Sequence, residues 1–102
     1  MNTPWGPSET EWDKTIAEGI VQVSTPSHGG IAVFGPAADK LSREAKLFPI
    51  RLDGKLFFEE DCDWAIVAAE FPEHFPDVDP DKVKESLERW NKEYLRLKAV
   101  PS

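Results

Sequence analysis

Apolar and polar positions change rhythm along the chain. From Thr10 to Phe34 the texture is that of short strands. Trp12 and Ile16 stand among polar neighbours, followed by the run Ile20-Val21-Gln22-Val23-Ser24-Thr25 and then Ile31-Ala32-Val33-Phe34. Branched side chains of this kind suit a pleated, half-buried surface. Ala17-Glu18-Gly19 and Pro26-Ser27-His28-Gly29-Gly30 separate the runs, so an antiparallel meander is expected. After Gly35-Pro36, Ala38, Leu41 and Ala45 recur at helical spacing and predict an amphipathic helix over about 36–47. Phe48-Pro49 ends it, Asp53-Gly54 signals a turn, and Lys55-Leu56-Phe57-Phe58 reads as a fourth strand.

The segment Asp61 to Phe71 is apolar nearly all round, with Trp64, Val67, Ala68 and Phe71 at helical spacing and Ala65, Ile66 and Ala69 between them. Such a run suits a buried strand or a buried helix; its three alanines and its length favour helix. Asp61 or Asp63 is expected to cap it and Pro72 to end it. The last helix is the clearest. Asp79 can cap, Pro80 takes the first position, and Val83, Leu87, Trp90, Tyr94 and Leu97 form one stripe. The stripe reads as core, with a homodimer interface through this helix as the alternative.

These elements predict an α+β domain. A small antiparallel sheet of three or four strands comes first, and about three helices pack in a single layer on one face. The expected layout is one domain over 1–102: an arm over 1–9 carrying Trp5 between Pro4 and Pro7, a mainly sheet part with one helix over 10–58, and a helical part over 59–102. The expected core is Ile20 or Val21, Val23, Ile31, Val33, Trp64, Val67, Phe71, Leu87, Trp90 and Tyr94.

Composition narrows the function classes. The 102 residues hold 12 basic and 19 acidic side chains, a net charge of −7. That argues against direct binding of nucleic acid, which needs cations to displace counterions from phosphate, and against docking on anionic lipid. No run reaches the ~18 apolar residues of a membrane span, and Met1 to Trp5 lacks the basic and apolar parts of a signal peptide. A single cysteine excludes an internal disulfide, and a cytoplasmic setting follows. The charge is also uneven. From Leu56 to Asp81 there are nine acids and no Lys or Arg, while the rest of the chain carries 10 acids and 12 bases.

Three blocks stand out: Thr3-Pro4-Trp5-Gly6-Pro7, Val23-Ser24-Thr25-Pro26-Ser27-His28-Gly29-Gly30, and Glu59-Glu60-Asp61-Cys62-Asp63-Trp64-Ala65-Ile66-Val67. In this order the chain resembles an uncharacterised family of small proteins of bacterial plasmids and other mobile elements, over residues 3–76. The resemblance implies a setting and no activity. Small acidic proteins in that setting are often inhibitors of host defence, an analogy of context.

Two functions from different classes remain. In the first, the chain is an acidic interaction protein that binds a basic protein surface, a nucleic-acid-binding effector whose phosphate contacts it imitates, as an anti-CRISPR or antirestriction inhibitor would. Glu59, Glu60, Glu73, Asp77 and Asp79 then steer the partner, and Trp5 and Phe75 anchor it. In the second, His28, Cys62 and Asp63 share a pocket in a small enzyme or a ligand- or metal-binding domain. Against it, the carboxylates around Cys62 oppose its thiolate. The His and Cys spacing lacks the close ligand pairs of a zinc site, and Gly29-Gly30 is followed by no Lys and helix to hold phosphate. No cofactor and no metal is expected.

Overall fold

The computed structural model describes residues 1–100. Two short strands, β1 (Asn2–Thr3) and β2 (Gly6–Pro7), form a ribbon in the arm. A 3-10 turn over Thr10–Trp12 leads to β3 (Lys14–Ala17), β4 (Ile20–Ser24) and β5 (Gly29–Val33), which pair antiparallel. After α1 (Pro36–Lys40) and a 3-10 turn over Ala45–Leu47 come β6 (Ile50–Leu52) and β7 (Lys55–Glu59). Then α2 (Trp64–Glu70), a 3-10 turn over Pro72–His74, α3 (Pro80–Trp90) and α4 (Lys92–Ala99) complete the chain.

The α+β class and the antiparallel pairing are as expected, but the sheet is larger than the predicted three or four strands. Five strands lie in the order β3-β4-β5-β7-β6, beside the two-stranded ribbon. β7 slots between β5 and β6, so the sheet departs from a simple meander. Asp53 and Gly54 both take positive φ, 51° and 74°. That is the geometry of a tight Asp-Gly hairpin, and it folds Ile50–Leu52 back onto β7.

Strand alternation sorts side chains onto two faces. Ile20, Ile31, Val33, Leu56 and Phe58 face the helices and meet Ala37, Leu41, Ala65, Ile66, Val67 and Leu87. Val23, Ala32 and Phe57 face the other way, and Met1 and Trp5 of the arm cover them. β5 is buried along its whole length because both faces are covered.

The helices depart from expectation in several places. The helix predicted over 36–47 stops at Lys40. Leu41 turns extended, the Ser42 N–H goes to the Glu70 carboxylate at 2.6 Å, and the Ser42 hydroxyl accepts from the Ala45 N–H, starting a separate turn. The 61–71 segment is a helix, but no carboxylate caps it; the Asp63 side chain accepts from Asn91 instead, at 3.0 Å. Asp79 does cap α3 by accepting from the Asp81 N–H at 2.9 Å. The long last helix is two helices, broken at Asn91 with φ −129° and ψ 41°. Trp90, still within α3, is off the core stripe: it is 58% exposed, while Leu87, Asn91 and Tyr94 are buried. Trp64, also expected in the core, is half-buried.

Candidate functional site

The fold brings the three sequence blocks together. The Thr3 hydroxyl donates to the Gly6 carbonyl at 2.5 Å and accepts from the Trp5 N–H at 3.1 Å, closing the tight turn that presents the indole. That ring meets Phe57 edge-on at 6.1 Å and lies over Gly30. A Cβ at Gly30 would sit 2.5 Å from the Trp5 ring and 2.6 Å from the Phe58 carbonyl oxygen. A Cβ at Gly29 would sit 2.5 Å from the Glu60 carboxylate. The two glycines are strand residues that make room for neighbours, and neither supplies the positive φ a glycine turn would use. Thr25 closes the preceding turn: its hydroxyl donates to the His28 carbonyl at 2.7 Å and accepts from the His28 N–H at 3.0 Å.

His28, Cys62 and Asp63 each have other neighbours. His28 is exposed, its ring 6.3 Å from Trp5. The Cys62 thiol donates to Glu59 at 3.6 Å, and Asp63 is engaged with Asn91. Burial, with Asp63, Glu59 and Asp61 adding negative charge, pushes the Cys62 thiol up to about 11. Among the described residues no group of three or more His, Cys, Asp and Glu is placed to hold a metal ion.

The nine acids do not share one exposed face. Glu60, Asp61, Glu73, Asp77, Asp79 and Asp81 are exposed, Glu59 and Asp63 are half-buried, and the Glu70 side chain is only 7% exposed. Glu70 ties three elements together. It accepts from the Ser42 N–H and from the Tyr94 hydroxyl at 2.7 Å, with the Lys98 ammonium 3.4 Å away. Burial pushes its carboxyl up, but these donors outweigh burial and hold it below the usual range. Sequence reasoning missed this role, because Glu70 ends an apolar run and its partners lie 24 and 28 residues away.

A different concavity was also missed. After α2 the backbone makes successive tight turns, with Phe75 N–H to the Pro72 carbonyl at 3.1 Å and Val78 N–H to the Phe75 carbonyl at 3.2 Å. The loop runs between the sheet and α3, and Phe75 and Val78 are shared by three adjoining depressions of about 310, 360 and 280 Å³. The largest lies between Ile16 and Ile31 of the sheet and Trp64 of α2, with Gln22 and Glu60 as its polar side chains. In the next, Asp77 and His74 stand with Lys14. Of the expected partner-binding residues, Phe75, Glu60 and Asp77 meet here; Trp5 is instead half-buried on the opposite sheet face, and Asp79 serves as the α3 cap.

One family matches along nearly the whole chain, residues 1–99, described as a domain of unknown function (DUF7007). The chain belongs to DUF7007. The match takes in α3 and α4, so the DUF7007 unit extends past the 3–76 region that the blocks alone indicated, to the helices that bear on Asp63 and Glu70. No curated protein and no solved structure matches the chain. Among the described residues of this DUF7007 member, no helix is long and apolar enough to cross a membrane.

Proposed function

We propose that this chain is an interaction protein that binds a basic protein surface at the Phe75–Val78 loop. One observation carries the reading: apolar depressions sharing Phe75 and Val78 are rimmed by Glu60 and Asp77, which form no ion pair among the described residues. Unpaired rim carboxylates chiefly raise the association rate with a cationic partner, while a few desolvated apolar residues hold the complex. In the mobile-element setting that the sequence blocks resemble, the partner would be a nucleic-acid-binding effector of host defence, met in the cytoplasm, with carboxylates placed where phosphates would lie. Pairing with a second copy through α3 and α4 is the second reading, favoured by Trp90 and Val100, each 58% exposed; sedimentation as a monomer at high concentration would remove it.

The test is selection from a display library of short random peptides, followed by charge reversal. Enriched peptides should combine Lys or Arg with an aromatic or aliphatic residue. Glu60→Lys, Glu73→Lys and Asp77→Lys together should slow their association and flatten its salt dependence. Asp79 is left alone, because removing that cap would cost about 1 kcal/mol of stability. Enrichment without basic bias, or rates unmoved by the triple reversal, would sink the proposal.

A further inference from the structure

The largest depression is unusual in its lining. Its walls are Ile16, Ile31, Val78 and two aromatic side chains, Trp64 and Phe75, and its one charged group is Glu60. Glu60 is exposed, and its carboxylate rests in the space left by the missing Cβ of Gly29, where the Glu60 N–H also donates to the Gly29 carbonyl at 3.0 Å. The strand glycine therefore leaves room for the negative charge at this end of the slot. An apolar, aromatic slot ending in one unpaired carboxylate complements a side chain with an aliphatic stem and a cationic head. Aromatic rings attract cations through their quadrupole, and a guanidinium both stacks on rings and forks onto a carboxylate. At about 360 Å³ the slot lies at the small end of ligand sites, which suits one or two residues of a chain better than a cofactor.

We infer that this slot receives an arginine side chain of the partner, its stem along Ile16 and Val78 and its guanidinium on Glu60 beside Trp64 and Phe75. The inference rests on the binding reading above and adds the recognised group. Lys14 lies in the adjoining depression with Asp77, so the cationic head is drawn to the Glu60 end.

The probe is a short capped peptide from that selection carrying a single arginine, compared with the same peptide carrying citrulline, the neutral isostere. Affinity is read by NMR titration, following the Trp64 indole N–H and the Ile16 and Val78 amides. Citrulline should weaken binding about tenfold, the scale of one charge-assisted hydrogen bond. Glu60→Gln should weaken the arginine peptide to a similar degree while leaving the citrulline peptide unchanged. If selected peptides bind in the loop region and lose affinity on charge reversal, yet bind equally with arginine or citrulline, the slot assignment falls and the wider reading stands. If no basic peptide binds there at all, both fall.

Discussion

The Trp5 indole occupies the space where Gly30 lacks a side chain, so an arm residue and a central-strand residue are fitted to each other across the back of the sheet. Gly30→Ala should cost about 2–3 kcal/mol, because one of the atoms it would strike is the Phe58 carbonyl oxygen, part of the sheet backbone. Trp5→Ala alone should cost about 1–2 kcal/mol for a half-buried ring. In the double variant the cost of Gly30→Ala should shrink, since half of its conflict has gone. Denaturant titration of the four proteins checks this, and strict additivity would refute the fit.

Glu70 supplies the acceptor for a backbone N–H and a tyrosine hydroxyl. Glu70→Ala should cost about 2–4 kcal/mol by orphaning both. Because its folded-state carboxyl is held low, its contribution is complete above the unfolded value of about 4.3 and disappears as pH falls through the depressed folded value. Chemical denaturation of wild type and variant across the acid range should show their difference narrowing on acidification. A constant difference would assign the loss to packing alone.

Asp63 behaves in the opposite sense. Burial raises its carboxyl, an effect that the Asn91 hydrogen bond only partly offsets. Folding therefore favours its protonated form, and stability falls as pH rises from the unfolded value of about 3.9 through the raised folded value. Asp63→Asn keeps an oxygen for Asn91 and removes the charge. Relative to wild type it should gain stability as pH rises above about 4, the ordinary aspartate value. Thermal melts across that window test it, and parallel curves would contradict it.

Cys62 should be a slow thiol. With its titration pushed up to about 11, alkylation near neutral pH should run roughly a hundredfold slower than for a free cysteine. Glu59→Gln should speed it by removing both a nearby charge and the acceptor of the thiol proton. Labelling of native protein at the rate of a free thiol would restore Cys62 as a candidate nucleophile.

Leu87 and Trp90 stand three residues apart near the end of α3 with opposite surroundings. Leu87→Ala should cost about 2–4 kcal/mol, and Trp90→Ala less than about 1 kcal/mol, because Leu87 is 6% exposed and Trp90 58%. Equal losses in urea titrations would mean that another surface covers the indole.

That pair also shows what periodicity conveys. The spacing of Val83, Leu87, Trp90 and Tyr94 is that of one unbroken stripe, and the one local sign of a break is Asn91 itself, a residue favoured at helix ends. Asn91 stops α3 while its side chain reaches Asp63, 28 residues earlier, a partner that no window along the chain contains. Ser42 and Glu70 cut short the 36–47 helix in the same way. By contrast, β4, β5, β7 and α2 were legible because alternation or continuous apolarity reports burial directly. Ile50–Leu52 was not, since it is short and mostly exposed and depends on the Asp53-Gly54 hairpin for a partner. For the candidate site, Phe75, Glu60 and Asp77 were visible as types. Their meeting with Ile16 and Trp64 depends on how the loop after α2 lies against the sheet, which charge counting cannot supply.

The arm's position also has a consequence for the order of assembly. Half the chain separates Trp5 from Phe57, and the ring's seat is made jointly by β5 and β7. Residues 2–7 therefore leave the ribosome well before the surface they cover, and closing so long a segment is worthwhile only once both strands are paired. The indole works as a clasp across two paired strands: its seat exists only where Gly30 of β5 and Phe57 of β7 already lie side by side.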